Sequence, residues 1–499
     1  MLNSLRLKPS DIFSNDFQSQ ELRNTVVKGS LALVLSQGMS FSLSMVNTMV
    51  LARLLIPADF GIVGMVTVFV NLIAMFKDAG LSTATIQNKN IASQQISTLF
   101  WINAGISLVL GIAILILSPF VAAFYKKPEL TAVTAVIAVS FILQGFTIQH
   151  SALLQRHLKF TALAINDIIA QLIMMVVAIT LAAFGFRYWA LVGGAIARTI
   201  TLIMLTYYSC PWIPGRMQKG TGVRNMLKFG GHLTGSNFVG YFASNLDSLL
   251  IGRFIGAEPL GLYSRAFTLL MQPLNQIKSP LTALSLPVLS SLKNDPARYQ
   301  SYFRQFLDIS ISLALPISVY CFLESNFLIR LLLGQQWMDA VPVFKIFSVA
   351  GVFIALSGAP GMVMLSHGFS KRYLHLSILT AVIISVSFIA GVPFGITGVA
   401  IGYTVANFLI MIPLIYYGFR GTPIKISLIL ESINGPLFAV MIAGILTYIF
   451  IILYSTDSLT KHILTGFIFF AVYITFTILR PKTRATLKSI LESIVSKKK

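Results

Sequence analysis

The sequence predicts an all-α, polytopic membrane protein of about 14 transmembrane helices, arranged as two parallel six-helix lobes plus a final helix pair. Three observations carry that prediction. Only 11% of the 499 residues are Asp, Glu, Lys or Arg, against about 25% in a typical soluble chain, so a soluble fold could not cover its surface. Apolar types make up 56% and the mean hydropathy is +0.81. Apolar runs of about 20 residues, the length that crosses roughly 30 Å of hydrocarbon, recur from residue 27 to residue 480. That spread excludes a soluble enzyme held by a single anchor.

Residues 1–26 are polar and mixed in charge, without the apolar core and small-residue cleavage site of an export signal, and read as a retained cytoplasmic segment. The first lobe, 27–210, holds spans 27–52, 58–80, 96–118, 130–152, 162–184 and 187–209. A cytoplasmic linker, 211–225, leads to the second lobe, 226–418, with spans 226–252, 260–290, 305–326, 341–366, 373–391 and 395–418. Residues 419–480 supply helices 13 and 14 (436–455 and 461–480), and 481–499 form a basic cytoplasmic tail. The prolines divide unevenly. None is expected inside the first six spans, whereas Pro273, Pro280, Pro287, Pro316, Pro360 and Pro413 fall within later ones. Each removes a backbone hydrogen bond, so the second lobe is expected either to bend during transport or to carry static kinks filled by its neighbours.

A formal charge of +21 would suggest nucleic acid in a soluble chain, but there is no basic helix, aromatic-basic interleaving or zinc spacing to support it. Topology accounts for the charge instead. With the N-terminus inside, cytoplasmic segments hold 25 of the 37 Lys and Arg and outer loops hold nine, which predicts both termini inside. The other three, Lys77, Arg198 and Lys278, fall within spans. The terminal Lys497, Lys498 and Lys499 could hold anionic membrane lipid. Cys210 and Cys321 sit in or beside apolar segments, so neither a disulfide nor a metal site is expected.

Shifting the sequence against itself by 200 residues matches Lys28 with Lys228, Leu33 with Leu233, Ser36 with Ser236, Ser44 with Ser244, Arg53 with Arg253 and Gly61 with Gly261. The same shift maps the first helix, outer turn and second helix onto the seventh, its turn and the eighth. Two lobes in one orientation follow, a transporter architecture in which substrate is held between repeats.

Three stretches carry a family resemblance: Arg53-Leu-Leu-Ile-Pro57-Ala-Asp59-Phe60-Gly61, Asp78-Ala-Gly80-Leu81-Ser-Thr-Ala84-Thr-Ile86-Gln87, and Asn245-Leu-Asp247 through Gly252-Arg253, Gly256-Ala-Glu258 and Gly261-Leu-Tyr263. Together they resemble the polysaccharide transporters, the Wzx-type flippases and especially their colanic-acid-exporter-like branch. That family belongs to the multidrug/oligosaccharidyl-lipid/polysaccharide exporter superfamily. The resemblance implies a secondary-type transporter of the bacterial inner membrane. It would move an undecaprenyl-diphosphate-linked oligosaccharide from the cytoplasmic to the periplasmic leaflet, driven by H⁺ or Na⁺, with no cofactor and with polysaccharide assembly proteins as further partners. A multidrug and toxin extruder and a membrane glycan polymerase or ligase are the alternatives. The second would need a long periplasmic loop rich in Arg and His, and the outer connections here are short. No Walker-type phosphate loop or catalytic constellation is present.

Ionisable residues inside spans are the candidate site, since each costs roughly 2.5 to 3.5 kcal/mol at the helix centre. Arg198, midway along helix 6, suits a diphosphate or uronate, or else ties helix 6 to a carboxylate or to carbonyls. Asp167 and Gln171, four apart on helix 5, share a face and could bind sugar hydroxyls, although Asp167 is close to the cytoplasm. Asp247, at the shifted position of Asn47, could take the coupling ion or pair with Arg253 or Arg265. Asp78 and Lys278, 200 apart, could form a cytoplasmic gate, with Lys77 a competing partner for Asp78 and phosphate a competing partner for Lys278. His232, Asp308 and Glu324 lie near helix ends and read as interfacial.

Overall fold

The structure, a computed structural model, describes residues 6–7, 19–77, 81–87, 91–218, 241, 244–454 and 458–479. His232, Asp78 and the basic tail lie outside these residues, as does most of the expected seventh span. Every regular element among the described residues is helical. Eight helices among the described residues are long and apolar enough to cross a bilayer, or nine if one bent pair is a single span. One of the eight, Ser370–Phe419, is itself two helices joined by a 3-10 turn at Val392–Phe394.

The chain divides into two compact units, Met1–Gly261 and Leu262–Lys499. The first contains α1 (Ser19–Leu54), α2 (Pro57–Ala74), α3 (Leu81–Gln87), α4 (Ser93–Tyr125), α5 (Glu129–Gly145), α6 (Ile148–Arg156), α7 (Phe160–Ala183) and α8 (Tyr188–Ser209). Helix α9 (Ala257–Ser291) begins in the first unit and continues into the second. The second unit adds α10 (Pro296–Leu323), α11 (Ser325–Leu332), α12 (Val341–Ser357), α13 (Ala359–Ser366), α14 (Ser370–Gly391), α15 (Gly395–Phe419), α16 (Ile426–Leu453) and α17 (Leu459–Leu479).

Both units repeat one pattern. A long helix is followed by a broken one, then by two more long helices. The broken members are α5–α6, bent by 41°, and α12–α13. In the second case the cause is in the sequence: Pro360 has no N–H to donate to the preceding turn and its ring crowds the carbonyl there, so α12 stops at Ser357 and Pro360 sits in the first turn of α13. In the first, Gly145 packs directly on Ser107 of α4, where a Cβ would overlap the serine side chain. Residues with left-handed φ fall at matching joints, Lys126, Leu158 and Gly185 in one unit and Gly334, Gly368 and Gly395 in the other. Leu158 and Gly368 are 210 residues apart. The offset has drifted from 200 by then, which is why ungapped identity fades beyond Gly61.

One expectation needs correcting. Pro119 lies inside α4, so the first six spans are not free of interior proline. Helix α4 runs 33 residues, well past the membrane-length window that ended at 118, and the proline falls in that extension.

The outer-turn motif has a packing role. Asp59 is 1% exposed, accepts the Ile56 N–H at 3.3 Å at the start of α2, and meets Arg187 Nε at 3.4 Å. Two residues on, Gly61 lies against the carbonyl of Ala257, and Gly261 lies against the carbonyl of Pro57. The pairs 57 and 61, 257 and 261 are the shifted equivalents, so the starts of α2 and α9 cross reciprocally, as surfaces related by a twofold axis do. Glycine permits that backbone approach in a membrane helix.

Residues 6–7 and 210–218 close one end of the first unit. Leu7 N–H donates to Ser209 O at 2.9 Å, and Leu7, Cys210 and Trp212 join a buried cluster with Leu99, Phe100 and Leu153. Burial pushes the Cys210 thiol up to about 12, so at neutral pH it is protonated as well as inaccessible. A Cys321→Ala protein, whose remaining thiol is Cys210, is therefore expected to resist maleimide at pH 7.5 while folded and to react fully in denaturant. Rapid labelling of the folded protein would contradict this packing.

Candidate transport site

Helix α7 packs along both α8 and α1, and a polar cluster joins the three. Arg198 Nη2 of α8 donates to Asp167 Oδ1 at 2.6 Å, and Ser40 Oγ of α1 donates to Asp167 Oδ2 at 3.3 Å. Two charges placed separately by sequence are thus one ion pair, each offsetting part of the other's cost in hydrocarbon. The side chains remain 39% and 43% exposed, which leaves the pair open to a polar ligand rather than sealed. Arg198 Nε is buried and has no hydrogen-bond partner among the described residues, so within them the guanidinium is short of one acceptor. Gln171 is half-buried one turn along α7 from Asp167.

A second cation comes from the first unit. Lys77 lies three residues beyond the end of α2, not within the span, yet its Nζ donates to Gln144 Oε1 at 2.9 Å and sits 5.3 Å from the Phe141 ring centroid. Gln144 Nε2 reaches Thr199 Oγ1 at 3.4 Å, next in sequence to Arg198. In the second unit Lys278 of α9 donates to Ser357 Oγ at 3.0 Å, and its stem crosses Gly358, where a Cβ would stand 2.7 Å from Cε. Lys278 has no carboxylate partner among the described residues. Each lysine therefore donates to a neutral oxygen at the C-terminal end of a broken half-helix, where the dipole favours a cation. By structural position Lys77 is the counterpart of Lys278. The 200-residue shift had pointed to its neighbour Asp78, which is not among the described residues.

Asp247 is 6% exposed and its Oδ1 accepts the Ser248 N–H at 2.6 Å. It lies one turn before a π-helical segment, Ile251–Ile255, that ends at Gly256 with φ 126°. Such segments are frequent at functional sites. Asn47, its shifted equivalent, is also buried, and its Oδ1 has no hydrogen-bond partner among the described residues. Arg253 lies over the Phe124 ring at 5.5 Å. Arg265, counted with the outer connections by sequence, is two turns inside α9 with a buried Nε. The signal in the sequence is its place five residues into the expected span 260–290. Asp308 meets Arg304 at 3.9 Å, whereas Glu324 is buried and pairs with His462 at 2.7 Å, the imidazole stacking on Phe327. Among the described residues no group of three His, Cys, Asp or Glu is placed to hold a metal ion.

Membrane-length helices with broken members and charges held within them define a multi-pass membrane protein with the helix pattern of a transporter. Residues 50–342 match the family described as polysaccharide biosynthesis protein, and the chain belongs to that family. It is 25% identical over 397 residues to the teichuronic acid biosynthesis protein TuaB of Bacillus subtilis (strain 168), covering 77% of this chain and 79% of the relative. It is 22% identical over 405 residues to the lipopolysaccharide biosynthesis protein WzxC of Escherichia coli (strain K12), covering 78% and 82%. The fold resembles the lipid II flippase MurJ in an inward closed conformation, with a TM-score of 0.74 at 13% identity over 90% of this chain and 98% of the other. The family match and these relatives agree with the polysaccharide-transporter resemblance carried by the sequence motifs.

Proposed function

We propose that this protein moves an undecaprenyl-diphosphate-linked repeat unit of a surface polysaccharide from the cytoplasmic to the periplasmic leaflet of the bacterial inner membrane. Alternating access of two lobes, 27–210 and 226–418, would carry the movement, with both termini cytoplasmic. The observation that carries this reading is the half-exposed Arg198–Asp167 pair inside apolar helices, a fork able to exchange its carboxylate for a diphosphate or uronate. Gln171 would meet sugar hydroxyls, and Lys77 and Lys278 would add positive potential along the path. The family description and the names of the relatives support a glycan cargo over the drug cargo of multidrug extruders.

Deletion of the gene is expected to leave a lipid-linked glycan in the cytoplasmic leaflet, identifiable by mass spectrometry of extracted lipids. No such accumulation, together with new drug sensitivity, would favour the extruder instead. We also propose that Asp247 takes the coupling H⁺ or Na⁺. Asp247→Asn is expected to abolish the dependence of flipping on the ion gradient in proteoliposomes, and unchanged dependence would remove the residue from coupling.

A further inference from the structure

Lys278 lies in α9 between Pro273 and Pro280, half-buried, and meets no carboxylate among the described residues. Its Nζ donates at 3.0 Å to the hydroxyl of Ser357, the last residue of α12. The lysine stem fills the place where a side chain on the next residue would stand: a Cβ on Gly358 would lie 2.7 Å from Cε and 3.4 Å from Nζ. The C-terminal end of a half-helix also favours a cation.

The break that receives the lysine is fixed from its other side. Pro360, in the first turn of α13, packs on Gly418 of α15, where a Cβ would stand 2.6 Å from the proline Cβ, and Gly361 lies against the Tyr373 ring of α14. Ser357 and Gly358 thus offer a hydroxyl and a gap at a set place. The first unit has only part of this arrangement. Lys77 donates to Gln144 Oε1 at 2.9 Å, but the adjoining Gly145 faces Ser107 of α4 rather than a lysine.

A neutral partner decides what the lysine can do. The hydrogen bond from an ammonium to a hydroxyl is weaker than one to an ionised phosphate, so an arriving anion takes the ammonium over. A buried carboxylate in place of Ser357 would be left unpaired by that exchange, at a cost the hydroxyl avoids.

We propose that Ser357 and Gly358 are positioning residues for transport: the hydroxyl holds the Lys278 ammonium at the α12 break, the glycine gives its stem passage, and a phosphate-bearing lipid headgroup draws the ammonium away from Ser357. The assignment deepens the function proposed above and rests on it for the diphosphate.

The test uses the full-length protein in detergent, with undecaprenyl diphosphate as the probe and undecaprenol as its uncharged control. Acetylation of Lys278 by a water-soluble succinimidyl ester, read by peptide mass spectrometry, is expected to rise about five-fold in Ser357→Ala, the effect of one lost hydrogen bond. It is expected to rise likewise in Gly358→Ala, whose new Cβ pushes the stem aside. Both variants are expected to melt near the wild-type temperature, because the atom displaced at Gly358 is near the end of a flexible side chain and the glycine φ of −81° suits alanine. Each is expected to bind undecaprenyl diphosphate about five-fold more weakly and undecaprenol as before. In a Lys278→Met background neither substitution is expected to weaken binding further, whereas a merely structural role would add its own loss. Unchanged acetylation in both variants, or further loss in the Lys278→Met background, would overturn the positioning role. Raised acetylation with the same undecaprenyl diphosphate affinity in every variant, Lys278→Met included, would overturn the proposal through the function it rests on.

Discussion

Replacing Gly61 with valine is expected to abolish a folded, monodisperse product, and Gly261→Val is expected to do the same. At both positions the obstacle is a backbone carbonyl, Ala257 O and Pro57 O respectively, so no rotamer change makes room. Relief requires moving the start of α2 away from the start of α9. Overpacking of side chains costs typically 1–3 kcal/mol, and a clash with fixed backbone lies at or above the upper end. That is a large share of a total stability of about 5–15 kcal/mol. Two controls separate the crossing from a general sensitivity to helix glycines. Gly64→Ala meets only the Leu260 side chain at ordinary contact distance and is expected to be near neutral. Gly38→Ala meets nothing within 4 Å and should gain about 0.5–1 kcal/mol from helix propensity. Size-exclusion profiles and melting temperatures in detergent measure all four. Normal melting of Gly61→Val would refute the reciprocal crossing.

Arg198→Ala is expected to reduce flipping by roughly 30-fold or more, from the loss of a charge-assisted contact of about 2 kcal/mol or more. The measurement must distinguish a ligand contact from a tie between α7 and α8, because Arg198 is both half-exposed and bonded to Asp167. Exchange of the two charges, Arg198→Asp with Asp167→Arg, keeps a pair between the same helices. It is expected to restore the melting temperature lost in each single variant while leaving transport low, since the cation then projects from α7. Recovery of transport in the exchanged protein would reduce the pair to a tie. Arg198→Lys is expected to fall between, because an ammonium lacks the planar fork.

The helical, membrane-crossing character of the chain was legible in sequence because it depends on apolar content over about 20 residues, a property local to each helix. The turn motifs were legible for the same reason: Asp59 caps α2 within three residues of its own position. Helix lengths were less so. A membrane-length window cannot see that α4 continues through Pro119 or that α2 stops short of Lys77.

The candidate site was legible as a set of residues and not as an arrangement. Arg198, Asp167 and Lys278 were singled out because charge within an apolar run is costly wherever the helix packs. That Arg198 and Asp167 form one pair, joined by Ser40 from a helix more than a hundred residues earlier, depends on how α1, α7 and α8 lie together. The equivalence of Lys77 with Lys278 depends likewise on the positions of two helix breaks. Sequence by itself determined which segments enter the membrane and which charges they carry, since burial in lipid acts on each segment alone. Only tertiary structure decided which charges meet, because partners come from helices far apart in the chain and no periodicity along one helix records its neighbour's register.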